Sequence, residues 1–268
     1  MRPAARGRSV SAGHALPLVV GFLVAGLLTG PSLRALSEAG LERENYRGAR
    51  LPCPAGTVIV AAAALALVPL AALDQIAGVD VLRSALIPAS VYVLGVAFLG
   101  LLDDVLAAEP RGWRGHGAAV LSGGLSSGAL KAAGSLGLAM LTLTGQDLEA
   151  YLVGVAVLVL ATNLFNLLDL RPGRSFKVFM ALAAGLTLAT WNVGPLAGLG
   201  LFVGPVLVVG LYDLRERAML GDTGSNLIGA LAGLWMLTLP VTAQAVALVV
   251  MAAITVYGEF RSISELVE

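Results

Sequence analysis

Apolar runs long enough to cross a hydrocarbon layer of ~30 Å recur along the whole of this chain. That pattern narrows the choice of fold sharply. In lipid every backbone N–H and C=O must find its partner within the protein, so the runs must become helices packed side by side. Composition agrees: 57% of residues are hydrophobic, 13% are charged and the mean hydropathy is +0.87, far from soluble usage. The expected fold is all-α, a single polytopic transmembrane bundle over 1–268. The expectation is a multi-pass protein of the cell membrane with no nucleic-acid partner. Glycine (33 residues) is abundant, as close helix packing in lipid requires. The single cysteine, Cys53, rules out an internal disulfide.

The spans are read at about 16–28, 56–73, 84–102, 121–144, 150–168, 176–191, 195–212, 225–239 and 241–258, nine in all. A basic arm (Arg2, Arg6, Arg8) precedes the first, and the Gly-rich continuation to Pro31 argues against a cleaved signal peptide. The fourth span begins near 121 or only after the Ser122–Gly128 stretch, which also reads as an interfacial loop. Lys and Arg in short loops set the orientation. With the first helix running from outside to inside, the inner segments hold twelve of them, among them Arg111, Arg114 and Arg261. The outer loops hold Arg83 alone, and the three arginines of the N-terminal arm are outnumbered. The expectation is an outside N-terminus and a cytoplasmic C-terminus. Outer loops this short cannot build a binding site, so chemistry is expected at the inner face.

Four polar constellations fall on that face. Asp103 and Asp104 end the third span, where the helix dipole is negative and two carboxylates are misplaced unless a cation joins them. They read as a solvated pair, or as a divalent-cation site or base. Asn163, Asn166 and Asp169 recur at i, i+3, i+6 along the fifth span. They read as interhelical hydrogen-bonding groups or as a substrate-binding ladder. Asp222 opens the eighth span, either as an N-cap with Thr223 and Gly224 or as a carboxylate beside an anion-binding helix N-terminus. Lys131 snorkels from the inner edge of the fourth span, or it meets an anionic head group or the acids. Taken together, the four point to metal-assisted chemistry on a phosphate, with carboxylates holding the ion and a cationic side chain clamping phosphate oxygens.

These residues resemble the polyprenyl-phosphate N-acetylhexosamine-1-phosphate transferase superfamily, which includes phospho-N-acetylmuramoyl-pentapeptide transferase. Three motifs stand in family order over about 30 to 268: GLLDD, NLFNLLD and GDTGS. The resemblance implies an Mg²⁺-dependent (or Mn²⁺-dependent) enzyme of cell-wall biogenesis. A membrane polyprenyl phosphate attacks the β-phosphate of a UDP-amino sugar and UMP leaves. On that implication Asp103 or Asp104 orients or deprotonates the lipid phosphate, and Asp222, with Asp104, holds the metal. Asn166 and Asp169 bind the nucleotide with support from Asn163, and Lys131 contacts phosphate. Met219 stands where the family usually places an aromatic that stacks on uracil. A homodimer is also implied.

The chain departs from the family in two places. After Asp169 it reads Leu170-Arg171-Pro172-Gly173-Arg174 in place of Gly-x-x-Gly. The family's late His-rich loop has no counterpart, the only histidines being His14 and His116. The lipid-and-metal half of the site is therefore expected in its usual form and the nucleotide-sugar half in another, with Arg171, Arg174 or Lys177 supplying the missing donors. Two alternatives differ in class. A non-catalytic homologue would serve as a membrane scaffold in envelope assembly. A transporter would use Lys131 and the acids as an ion path, although no acid falls near the bilayer midplane.

Overall fold

The computed structural model describes residues 12–78, 86–106 and 127–260. The N-terminal arm with Arg2, Arg6 and Arg8, the stretch 121–126 expected to start the fourth span, and Arg83, Arg111, Arg114, His116 and Arg261 lie outside the described residues.

About 80% of the described residues are helical, and the chain is an all-α membrane-helix protein. Helix α1 runs Ala12–Glu38, and an antiparallel hairpin, β1 (Glu42–Glu44) with β2 (Arg50–Pro52), follows it. Next come α2 (Gly56–Ala77), α3 (Leu86–Leu106), α4 (Ser127–Thr142), α5 (Leu148–Leu168) and α6 (Arg174–Thr190). A five-residue α7 (Gly194–Gly198) leads into α8 (Gly200–Leu214), and α9 (Gly221–Met236) and α10 (Val241–Phe260) complete the described chain. Among the described residues five helices, α1, α2, α3, α5 and α10, are long and apolar enough to cross a membrane, and α8 is a shorter apolar helix.

Helix α9 is the hub. It packs on α3 and α5 most extensively, and also on α6 and α2. Apart from Asp222 and Leu234, all of its residues are buried. Glycine makes such enclosure feasible, because backbones can approach where no Cβ intervenes. A Cβ built on Gly229 would lie 2.7 Å from the Thr162 Cα and 2.8 Å from the Ala161 carbonyl oxygen of α5. Gly56 of α2 and Gly100 of α3 likewise abut the α9 backbone at Gly224 and at Asp222–Thr223. One buried polar pair also ties the hub's neighbours together, the Tyr92 and Thr162 hydroxyls being 2.9 Å apart between α3 and α5. In contrast, α1, α3 and α10 turn Leu27, Ile87 and Val249 outward, as helices bordering lipid do.

The first helix is longer than its apolar run of 16–28, continuing through Pro31 to Glu38. The hairpin beyond it docks on the α8–α9 loop by three backbone hydrogen bonds: Met219 N to Pro52 O at 3.0 Å, Ala55 N to Met219 O at 2.8 Å and Gly56 N to Leu220 O at 2.9 Å. Glu216 strengthens the dock. Its φ of 53° places a non-glycine residue in the left-handed region, which needs support from its surroundings. Tyr46 donates its hydroxyl to Glu216 Oε1 at 3.0 Å, Arg47 pairs with the same oxygen at 3.4 Å, and Asn45 donates to Oε2 at 3.4 Å.

Candidate functional site

Helices α3 and α5 run toward one end of the bundle, and α4 and α9 start from it. That antiparallel arrangement brings Asp103, Lys131, Asn166 and Asp222 together from four different helices. Lys131 Nζ donates to Asp222 Oδ2 at 2.5 Å and to Asp103 Oδ2 at 3.0 Å. Asn166 Nδ2 donates to the same Asp222 oxygen at 2.9 Å. The Asp103 and Asp222 carboxyls lie close enough to interact directly as well. Lys131 is only 20% exposed, and its ammonium is matched by the two carboxylates.

The two adjacent aspartates have separate jobs. Asp104 is 2% exposed; its Oδ1 accepts from the Asp222 amide at 3.0 Å, and its Oδ2 from the Thr223 amide at 2.9 Å and the Thr223 hydroxyl at 2.8 Å. It thus satisfies the amides that any helix leaves unpaired at its N-terminus, and its charge complements the dipole there. This corrects two readings. Asp222 does not cap α9: the helix starts at Gly221, the N-cap position is Leu220, and no side chain of that residue caps it. Nor is the α9 N-terminus open to a phosphate through the Asp222 and Thr223 amides, because Asp104 already takes both. Of the pair expected to hold the metal, Asp222 and Asp104, the second is engaged by the α9 N-terminus. With both Asp104 oxygens committed, the carboxylate that faces Asp222 is Asp103.

The expected ladder on α5 is only partly assembled. Asn166 reaches the site, but Asn163 is exposed. Three residues fall roughly 60° short of a full helical turn, so an i, i+3, i+6 series winds away from a single contact. Asp169 follows the helix as its C-cap residue, its amide bonded to Asn166 O at 3.1 Å. Its Oδ1 is enclosed and has no hydrogen-bond partner among the described residues. Burial, and then the Asp213, Asp222 and Asp104 carboxylates nearby, push Asp169 well above the usual carboxylate range. A proton or a cation close to Asp169 would relieve this concentration of charge.

Asp213, fully buried near the end of α8, ties two loops together. It accepts from Gly173 N at 2.6 Å and from Leu220 N at 3.3 Å. The loop holding Arg171, and with it Arg174 at the start of α6, is thereby fixed beside the loop holding Met219. The Arg171 guanidinium lies 5.0 Å from the centroid of the Tyr46 ring, and Arg47 lies 5.1 Å from it. Lys177 is exposed one turn into α6. Met219 is half-buried and engaged through its backbone with the hairpin.

Sequence reasoning missed Asn226. It is 1% exposed, its Oδ1 accepts from Asn166 Nδ2 at 3.0 Å, and its own Nδ2 is unpartnered among the described residues. Its place four residues after Asp222, hence on the same helical face, was the available signal. Among the described residues no three His, Cys, Asp or Glu side chains converge as a metal cage. The Asp103–Asp222 pair nonetheless offers hard oxygen donors held together by a monovalent ammonium, which suits Mg²⁺, an ion that commonly takes one or two carboxylates plus substrate phosphates.

Models of known protein families and the curated proteins were both compared with the chain, and neither comparison finds a match.

Proposed function

We propose that the protein is a phosphoglycosyl transferase, moving a sugar 1-phosphate from a UDP-amino sugar to a polyprenyl phosphate at the cytoplasmic face of the cell membrane. The observation that carries this reading is the meeting of Asp103, Lys131, Asn166 and Asp222 from four helices at one end of an apolar bundle. The reading takes the chain as nine-spanning, with its N-terminus outside. The site then opens to the side that holds nucleotide sugars, while the bundle wall offers lipid access.

The reaction forms one P–O bond and breaks another. A lipid phosphate oxygen attacks the β-phosphorus of the donor, the bond to the bridging oxygen breaks, and its electron pair leaves with UMP. Mg²⁺ held by Asp222 and Asp103 would supply neutralisation of the charge that develops on the diphosphate. Lys131, released in part from the carboxylates as substrate enters, holds a phosphate oxygen. Asn166, itself fixed by Asn226, keeps Asp222 Oδ2 in place. Asp103 orients the lipid phosphate and takes its remaining proton. Asp104 keeps α9, and so Asp222, at a fixed height.

The test is an exchange assay with purified protein, Mg²⁺, undecaprenyl phosphate and a panel of UDP-amino sugars. Release of UMP together with a lipid-linked sugar diphosphate, abolished in Asp222→Asn, is the expected result. Absence of product from every donor, where a working transferase gives product, would sink the reading and favour a membrane scaffold.

A further inference from the structure

The Glu42–Pro52 hairpin carries three arginines with different partners. Arg50 Nε lies 3.6 Å from Glu42 and Arg47 Nη2 lies 3.4 Å from Glu216, both arginines being well exposed. Arg43 turns the other way, its Nη2 3.6 Å from Asp104 Oδ1 at the start of α9. That separation is beyond hydrogen-bond reach. Asp104 does not require it either, since its oxygens already accept from Asp222 N, Thr223 N and Thr223 Oγ1. The guanidinium is a planar fork of five N–H donors. The side chain is 37% exposed, and among the described residues no hydrogen bond engages its donors.

Its place is fixed all the same. Arg43 pairs with Leu51 in the hairpin register, and the hairpin is held by Glu216 and by the three backbone bonds to Met219 and Leu220. One carboxylate oxygen, Asp104 Oδ1, separates the guanidinium from the Asp222 amide. A charged fork with unused donors, carried on a docked hairpin beside the Asp104 carboxylate, is available to an anion.

We infer that Arg43 is a phosphate-binding residue of this site, its guanidinium taking phosphoryl oxygens of the substrate that enters beside Asp222. The inference rests on the phosphoryl-transfer reading and deepens it by naming a substrate contact. A soluble nucleotide diphosphate and a lipid monophosphate present the same chemistry to a guanidinium fork, so the two sources are separated by experiment.

The full chain, purified in lipid nanodiscs, is titrated with UDP in one arm and with undecaprenyl phosphate in the other, with affinity read from ligand-induced thermal stabilisation. Arg43→Gln is expected to bind one probe about tenfold to a hundredfold more weakly, and the probe affected identifies the source. Arg43→Lys is expected to recover part of the loss, and Arg50→Gln, a matched hairpin control, to lose nothing. Folded Arg43→Gln with wild-type affinity for both probes overturns the inference, as does a loss no larger than that of Arg50→Gln. Should Arg43→Gln fail to fold, wild-type affinity of Arg43→Lys for both probes overturns it instead. Arg43-dependent binding without transfer from any donor would support the phosphate contact and sink the transferase reading. Transfer with binding indifferent to Arg43 would do the reverse.

Discussion

Replacing Asp104 with alanine separates the two neighbouring carboxylates more cleanly than any other change. The variant strips three donors of their acceptor: the Asp222 and Thr223 amides and the Thr223 hydroxyl. Each hydrogen bond to a charged partner contributes about 1.5–3 kcal/mol, and a buried donor left without a partner costs about 1–3 kcal/mol. These quantities overlap, and water entering the vacated space offsets part of the loss. A net cost of about 3 kcal/mol follows, above the ~2 kcal/mol ceiling for losing an ordinary N-cap. For a domain of this size that corresponds to a fall in Tm of roughly 6–12 °C. Asp104→Asn keeps one acceptor and should lose about half as much. Asp103→Asn keeps an acceptor for Lys131 Nζ and leaves the α9 N-terminus untouched, so it should lower Tm less than Asp104→Ala while removing transferase activity. Thermal unfolding in detergent, run beside the exchange assay, decides the matter. An Asp104→Ala protein with wild-type Tm and no activity would refute the assignment of Asp104 to the helix N-terminus.

Three further outcomes are expected. Lys131→Met leaves the Asp103 and Asp222 carboxyls facing each other without a cation, so in EDTA its Tm should fall by the equivalent of about 3 kcal/mol. Mg²⁺ should restore more of that loss than it adds to the wild type, and an equal Mg²⁺ response in both proteins would remove the carboxylate pair as the metal site. Gly229→Ala forces a Cβ to within 2.7 Å of the Thr162 Cα and should cost about 1–3 kcal/mol. Gly137→Ala, with nothing within 4 Å of its added Cβ, should be neutral or slightly stabilising by thermal shift. Burial, and then the Asp104 carboxylate, push the Cys53 thiol up to about 12, so maleimide at pH 8 should label it only after denaturation. Because the folded value lies above the unfolded one, Cys53 favours the folded state below about pH 9, and that contribution is lost as pH rises from about 9 to 12. A pH titration of Tm on wild type and Cys53→Ala reads the difference.

Five of the nine expected spans fall on helices long and apolar enough to cross a membrane, because hydropathy registers length and polarity directly. The runs read at 84–102, 150–168 and 241–258 correspond to α3 at Leu86–Leu106, α5 at Leu148–Leu168 and α10 at Val241–Phe260. The hairpin was not legible, since its strands are three residues long and read Glu-Arg-Glu and Arg-Leu-Pro, with no apolar alternation. Its placement comes from backbone pairing with residues about 170 positions away, which no local pattern records. At the site, residue type was informative and direction was not. Asp103 and Asp104 are adjacent and chemically identical, yet about 100° of helical rotation sends one to Lys131 and the other to α9. The same geometry turned Asn163 out of the cluster and left Asn226, hidden in the apolar stretch after GDTGS, as an unexpected member.

The enclosure of α9 has a consequence for how the chain is made. A helix ringed by protein on every side has no lipid to recruit it, and its glycines, Ser225 and Asn226 give it little tendency to partition into a bilayer alone. It is also synthesised after the hairpin, α2, α3, α5 and α6 that receive it. The earlier helices must therefore enter the membrane and leave a vacancy of its shape, lined at the mouth by Asp104 and the Pro52–Gly56 strand. The hub should thread into that vacancy, with the polar centre completed only when it arrives.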